Sequence, residues 1–214
     1  MDLFTHTRPR DFNRDDVVLC HEVGHAVVWN FHGGKITGIR FWRAGDGHLN
    51  GEVSVENPND LKNPIDAEHI VERFIAGDAA GRRRLGLRRD QISTVGVKVS
   101  REIHVPTLLI SANVNDDAMR AIWAAYESVG PKRCDRLLVA LGREPRWYAW
   151  LRIRLANVVN ILDVQWTIIE RAVEELVRHL PASGSEVRIP PNKVELLLDG
   201  SASSVGCRIG RSSI

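Results

Sequence analysis

Residues 20–28 read Cys20-His21-Glu22-Val23-Gly24-His25-Ala26-Val27-Val28, and the interpretation of the chain depends on this stretch. His21 and His25 are four residues apart, so on an α-helix both imidazole rings lie on one face, about one turn apart. Glu22 lies one residue round from that face. Two imidazoles at this spacing can bind zinc, and the adjacent carboxylate can take a proton from the zinc-bound water. The sequence therefore predicts a zinc site with Glu22 as general base.

The residues around this motif favour a helix over 14–31. Asp15 and Asp16 place negative charge in the first turn, where the helix dipole favours it, and Gly33-Gly34 follows the last helical turn. Apolar side chains of the segment would bury the helix in a core, namely Val17, Val18, Val27, Val28 and Trp29. An alternative interpretation has two core histidines bonded to the main chain. Burying both imidazoles and a carboxylate without a metal is costly, so we favour the metal site.

A third protein ligand is needed, because catalytic zinc usually takes three side chains and leaves the fourth position to water. Two regions of the sequence offer one. The first is an acidic predicted helix that contains Glu68, His69 and Glu72. The second is Asn115-Asp116-Asp117, which opens another predicted helix. Spacing alone does not choose between these two regions.

The motif and the segments after it resemble the peptidase domain of the FtsH-type, ATP-dependent zinc proteases. The motif of that family is His-Glu-Ala-Gly-His-Ala, which residues 21–26 match with one internal change. Further resemblances lie in the strands at 35–41 and 51–55, the small-residue stretch at 76–81, and the late helices at 166–176 and 194–197. Residues 111–116 are similar to the family's Ala-Ser-Asn-Asp segment, whose aspartate is the third zinc ligand.

This resemblance spans roughly residues 13–198 and implies a zinc metallopeptidase of the HExxH type. It implies that His21, His25 and Asp116 hold Zn²⁺ and that Glu22 is catalytic, with Asp117 as the nearest substitute for Asp116. The sequence contains no Gly-x-x-x-x-Gly-Lys-Ser/Thr loop, so we expect the peptidase domain to stand alone without the ATPase module. We expect it to act on unfolded polypeptide or peptides, unless a separate ATPase unfoldase supplies its substrates. The strand near 36–41 is our predicted partner for an extended substrate.

The pattern of the chain predicts an α+β fold that is mainly α-helical. The predicted elements are helices at 14–31 and 65–81, a hairpin at 35–43 and 51–56, a strand or loop at 92–110, and helices at 115–129, 131–141 and 145–180, with a break near 155–160 in the last. We expect a flexible N-terminus at 1–12, a single zinc-peptidase-like domain at 13–199 with a helical C-terminal half, and a flexible tail at 200–214.

Composition excludes several classes of protein. The chain of 214 residues has a formal net charge of +2, which creates no field for nucleic acid. It has no run of 18 apolar residues and no signal-peptide start, so we expect a cytoplasmic protein without a membrane span. Its three widely spaced cysteines predict neither a disulfide framework nor a structural zinc site. The sequence favours no particular oligomeric state.

A second functional hypothesis is a degenerate peptidase-like protein that binds metal and acts as a regulator or adaptor. The intact Glu22 favours catalysis, because a protein that only binds metal needs only the ligands. The missing ATPase module favours the adaptor, as do Asp78 and Gly81, which stand where the resembled family has Arg and Glu. The enzyme is the hypothesis that we prefer.

Overall fold

The structure, a computed structural model, describes residues 14–56, 64–87, 146–199 and 211–212. These residues form the predicted α+β arrangement, with high helical content and a small antiparallel sheet. The elements are α1 (Arg14–Phe31), β1 (Ile36–Arg43), β2 (Leu49–Val55), α2 (Pro64–Arg84), α3 (Arg146–Val177), β3 (Glu186–Ile189), α4 (Pro191–Asp199) and β4 (Arg211–Ser212). The segments predicted at 92–110, 115–129 and 131–141 lie outside the described residues.

Helix α1 begins and ends where its sequence predicts. Asp15 accepts hydrogen bonds from the guanidinium of Arg43 on β1, the shorter at 2.7 Å, and this pair ties the first turn to the hairpin. At the other end Gly33 has a φ of 76°, a left-handed conformation that glycine adopts without a Cβ clash. The N–H of Gly34 donates to the carbonyl of Trp29 at 3.0 Å, which closes a Schellman motif.

The core lies where α1 packs against α2, α3 and the hairpin. Residues of α1 supply its centre, including Leu19, Cys20, Val23, Ala26 and Val28, each at most 1% exposed. The partners from the other elements include Val71, Ala76 and Ala80 on α2, Val158 and Leu162 on α3, and Ile39 and Phe41 on β1. Because α1 is buried on most of its surface, the surrounding side chains leave its polar residues little freedom to move.

The four described strands are ordered β2-β1-β3-β4 and all their pairings are antiparallel. Strand β3 was not predicted, and two residues of the segment expected to be a flexible tail form β4. Strand β1 pairs with β2 on one side and with β3 on the other, with Phe41 opposite both Gly51 and Val187. Both edges of β1 are therefore paired over residues 39–42, so the prediction that the strand near 36–41 binds an extended substrate is wrong.

Helix α3 runs without interruption for 32 residues. The break predicted near 155–160 is absent, because Leu155, Val158 and Val159 are all buried on the face that packs against the core. Among the described residues, none of the helices combines the length and the apolar composition that crossing a membrane requires.

Candidate metal centre

His21 and His25 direct their Nε2 atoms at each other. These two atoms lie 3.0 Å apart, and the ring planes are nearly perpendicular at 86°. Two nitrogens bound to one tetrahedral zinc ion at about 2.0–2.1 Å lie about 3.3 Å apart. The observed separation is a few tenths of an ångström shorter than this ligand–ligand distance, and two imidazole nitrogens are a donor set that suits zinc.

A hydrogen bond fixes which nitrogen of His25 faces His21. The Nδ1 atom of His25 lies 2.7 Å from the main-chain carbonyl oxygen of Arg73 on α2. A carbonyl only accepts, so Nδ1 carries the proton and Nε2 of the neutral ring keeps its lone pair. Such a bond from the second ring nitrogen is the usual support of a metal-binding histidine. His25 is 7% exposed, so this orientation is held inside the protein.

Gly77 on α2 makes the space that the two rings occupy. A Cβ at position 77 would lie 2.3 Å from Nε2 of His25 and 2.8 Å from Cδ2 of His21. Helices α1 and α2 also approach closely at Ala80, about one turn after Gly77 on α2. A Cβ on Gly24 of α1 would lie 2.6 Å from the Cβ of Ala80. Gly77 belongs to the small-residue stretch at 76–81, but its sequence context did not reveal its contact with the histidines, although a glycine inside a helical pattern often marks such close packing.

Glu22 is buried beneath strand β2. The residue is 7% exposed, and a Cβ on Gly51 would lie 2.3 Å from its Cγ atom and 2.9 Å from its Oε1 atom. Glu22 and both histidines line a cleft of about 770 Å³. The other lining residues are Val17 and Val18 on α1, Trp42 on β1, Leu49, Asn50, Gly51, Glu52 and Val53 on β2, and Arg73 and Phe74 on α2. The predicted base and the two predicted ligands thus share one cleft.

Five consecutive residues of β2 line this cleft, which therefore runs along the edge of the strand. The N–H of Ala44 donates to the carbonyl of His48 at 2.9 Å, so this pair is hydrogen-bonded. Hydrogen-bonded and non-hydrogen-bonded pairs alternate along an antiparallel ladder. Counting from this pair along the regular register, Asn50 and Glu52 form hydrogen-bonded pairs with β1, and Leu49, Gly51 and Val53 do not. The N–H and C=O groups of Leu49, Gly51 and Val53 therefore point away from β1. Within the described residues no strand pairs with that edge.

The candidate third ligands at 68–72 lie in a different polar cluster. Glu72 is 2% exposed, its Oε2 atom lies 2.8 Å from Nε2 of His32, and its Oε1 atom accepts from Asn157 at 3.1 Å. Glu68 pairs with Arg154 on α3, and the ring of His69 stacks on that of His32 with centroids 3.9 Å apart. The structure therefore does not bring these three residues to the His21 and His25 pair.

Asp116 and Asp117 lie outside the described residues. Within the ranges that the structure describes, no group of three His, Cys, Asp or Glu side chains is arranged to hold a metal ion. The assignment of a third ligand to Asp116 or Asp117 therefore stays a prediction.

Cys20 precedes His21 but belongs to the core. The residue is 0% exposed, and burial raises the pKa of its thiol to about 12. The negative charges of Asp16 and Glu170 also raise this pKa, whereas the guanidinium of Arg84 lowers it. At neutral pH Cys20 is a protonated thiol, and metal binding or nucleophilic attack requires a thiolate.

Around one cleft lie two imidazole nitrogens, a buried carboxylate and a strand edge with which no described strand pairs. That combination suits metal-assisted attack of water on an extended polypeptide. Comparison of the chain with models of protein families found no match, and neither did a search of curated proteins.

Proposed function

We propose that this protein is a zinc-dependent metalloendopeptidase that hydrolyses peptide bonds in unfolded proteins or peptides. The observation that supports this proposal most is the 3.0 Å approach of the Nε2 atoms of His21 and His25 in a cleft that the buried Glu22 also lines. The resemblance of the motif to FtsH-type peptidases supports the same reading. His21, His25 and Asp116 would hold the metal in a zinc-peptidase-like domain.

The proposed reaction assigns each group of the chain a task. When bound, zinc supplies a positive charge that acidifies water and polarises the scissile carbonyl. Glu22 takes a proton from the attacking water, holds it on its carboxylate, and passes it to the leaving amine. Its burial beneath β2 limits the positions that this carboxylate can adopt. The hydrogen bond from His25 to the Arg73 carbonyl keeps Nε2 of His25 directed into the site.

The substrate would add a strand to the open edge of β2. Main-chain groups of Leu49, Gly51 and Val53 point to that edge, and the same three residues line the cleft. Strand addition requires an extended segment, because only an extended chain presents its N–H and C=O groups in register. This requirement favours unfolded polypeptide over folded proteins as the substrate.

Replacing the proposed base tests the function directly. We expect zinc-loaded Glu22→Gln to degrade unfolded casein at least about 100-fold more slowly than the wild type, because general-base catalysis contributes 10²–10⁴-fold. Glu56→Gln is the matched control, since Glu56 is half exposed and pairs with Lys35 away from the cleft. Equal rates for Glu22→Gln and wild type would overturn the mechanism. A wild type that holds zinc but cleaves nothing would favour the regulator or adaptor.

Variants of two neighbouring aspartates test the identity of the third zinc ligand. We expect Asp116→Ala to weaken zinc binding at least about 100-fold and Asp117→Ala to leave it within about threefold, because one missing ligand leaves only the histidine pair. The measurement is competition for zinc with a coloured chelator. The reverse order of the two variants would assign the ligand to Asp117.

A further inference from the structure

Gly51 is the point where strand β2 passes over Glu22. A Cβ at position 51 would lie 2.3 Å from Cγ, 2.8 Å from Cδ and 2.9 Å from Oε1 of Glu22. Non-bonded carbon atoms are normally separated by about 3.5–4.0 Å, so a side chain of any size at position 51 overlaps the glutamate. The overlap can be relieved only if the side chain of Glu22 or the strand itself shifts, because Glu22 packs directly against Gly51.

The main-chain N–H and C=O groups of Gly51 lie in the plane of the sheet, at about a right angle to this contact, and point to the edge of β2 that no described strand occupies. Gly51 lies opposite Phe41 on β1, and this pair is not hydrogen-bonded. The hydrogen-bonded pairs are the two that flank it, Trp42 with Asn50 and Arg40 with Glu52. One residue thus touches the Glu22 carboxyl and also offers its N–H and C=O to an added strand.

From this geometry we propose that Gly51 is a positioning residue, whose missing side chain lets the Glu22 carboxylate lie against β2, next to the substrate segment that pairs with the edge of this strand. This inference rests on the proposed peptidase function. A methyl group at position 51 would displace the carboxylate on the inner face of the strand. It would leave the outward main-chain groups of β2 and the histidine pair in place.

The test compares Gly51→Ala with Gly45→Ala in the full-length, zinc-loaded protein. A Cβ on Gly45, in the turn of the same hairpin, has no other atom within 4 Å, so this variant makes the same chemical change without a contact. With a fluorogenic peptide, we expect Gly51→Ala to lower kcat at least about 30-fold, because general-base catalysis is worth 10²–10⁴-fold and the displaced base retains little of it. KM and the bound zinc should stay within about twofold, and Gly45→Ala should match the wild type in all three quantities.

The possible outcomes separate the inference from the function. A kcat of Gly51→Ala within about threefold of wild type would overturn the role of Gly51 and leave the peptidase proposal standing. Loss of zinc or of the fold in Gly51→Ala would also overturn it, because the methyl group would then not act through Glu22. A zinc-loaded wild type that cleaves no peptide would overturn the proposed function, and the inference with it.

Discussion

The Nδ1–H group of His25 donates to the main-chain carbonyl of Arg73 at 2.7 Å, and this contact between α1 and α2 sets the direction of the His25 ring. Because the acceptor is a main-chain atom, the position of α2 against α1 determines the ring orientation. Residues of α2 that set this distance are therefore part of the proposed metal centre.

Gly77→Ala tests the contribution of α2 to the centre. We expect this variant to weaken zinc binding at least about 10- to 100-fold, because the new Cβ would lie 2.3 Å from Nε2 of His25. Gly81→Ala is the control on the same helix, since its Cβ would meet Val17 at 3.4 Å, an ordinary contact. Both changes raise the helix propensity of α2, so a loss of zinc by Gly77→Ala alone would not reflect a weaker helix. Equal zinc affinities of the two variants would contradict the prediction.

If the substrate adds a strand to β2, N-methylation of the substrate should slow its cleavage only at every second residue. In an antiparallel ladder every second residue of the added strand uses its N–H, so methylating those nitrogens removes a hydrogen bond and adds a clash. We expect cleavage of a peptide to fall at least about tenfold for N-methylation at alternate residues near the scissile bond, and little for the residues between. The measurement is kcat/KM across a series of singly methylated peptides. A uniform response along the series would argue against pairing with β2.

Replacing Glu72 should lower the stability of the fold but leave zinc binding unchanged. Its buried carboxylate joins His32 to Asn157, so Glu72→Ala leaves both partners without their acceptor. We expect this variant to lower the free energy of unfolding by about 3 kcal/mol. Lys35→Ala, at an ion pair whose lysine is 79% exposed, should change it by less than about 0.5 kcal/mol. Urea titration measures both values.

The same residue also tests the ligand assignment. Glu72→Gln keeps the shape of the side chain and should retain a full complement of zinc. Loss of the metal in this variant would return the third ligand to the 68–72 segment.

The buried thiol of Cys20 should make the stability of the fold depend on pH. The pKa of its thiol is about 12 in the folded chain and about 8.5 in an unfolded one. The stability that the protonated thiol contributes is therefore fully present below about pH 8.5 and is lost as the pH rises toward 12. In a Cys134→Ser/Cys207→Ser background, we expect iodoacetamide at pH 8 to modify native Cys20 about 1,000-fold more slowly than the unfolded chain, because the thiolate fraction differs by that order. Similar rates would show that the thiol is accessible and ionised.

Local patterns predicted α1 and its three polar residues, because a helix places residues four apart on one face whatever surrounds it. The acidic first turn and Gly33 predicted the limits of this helix for the same local reason. The α+β class followed from the periodicity of the hairpin and the long helices. In each case the decisive interactions join residues close in the sequence.

Features that depend on distant residues were missed. Residues 186–189 form a short strand whose pairing with β1 joins Phe41 to Val187, and a four-residue segment carries too weak an alternation to be recognised alone. The choice of β1 as the substrate-binding strand failed for the same reason, since β3 occupies its second edge. The roles of Gly51 and Gly77 arise from contacts with Glu22 and His25, which become neighbours only in the folded chain.

The proposed function requires His21 and His25 to hold one divalent cation beside a catalytic Glu22. Metal analysis of the full-length wild type, His25→Ala and Glu22→Gln after loading with zinc and removal of the excess tests it most directly. We expect one zinc per chain in the wild type and in Glu22→Gln, and none in His25→Ala. A wild type that takes up no zinc, or a His25→Ala variant that retains a full equivalent, would contradict it.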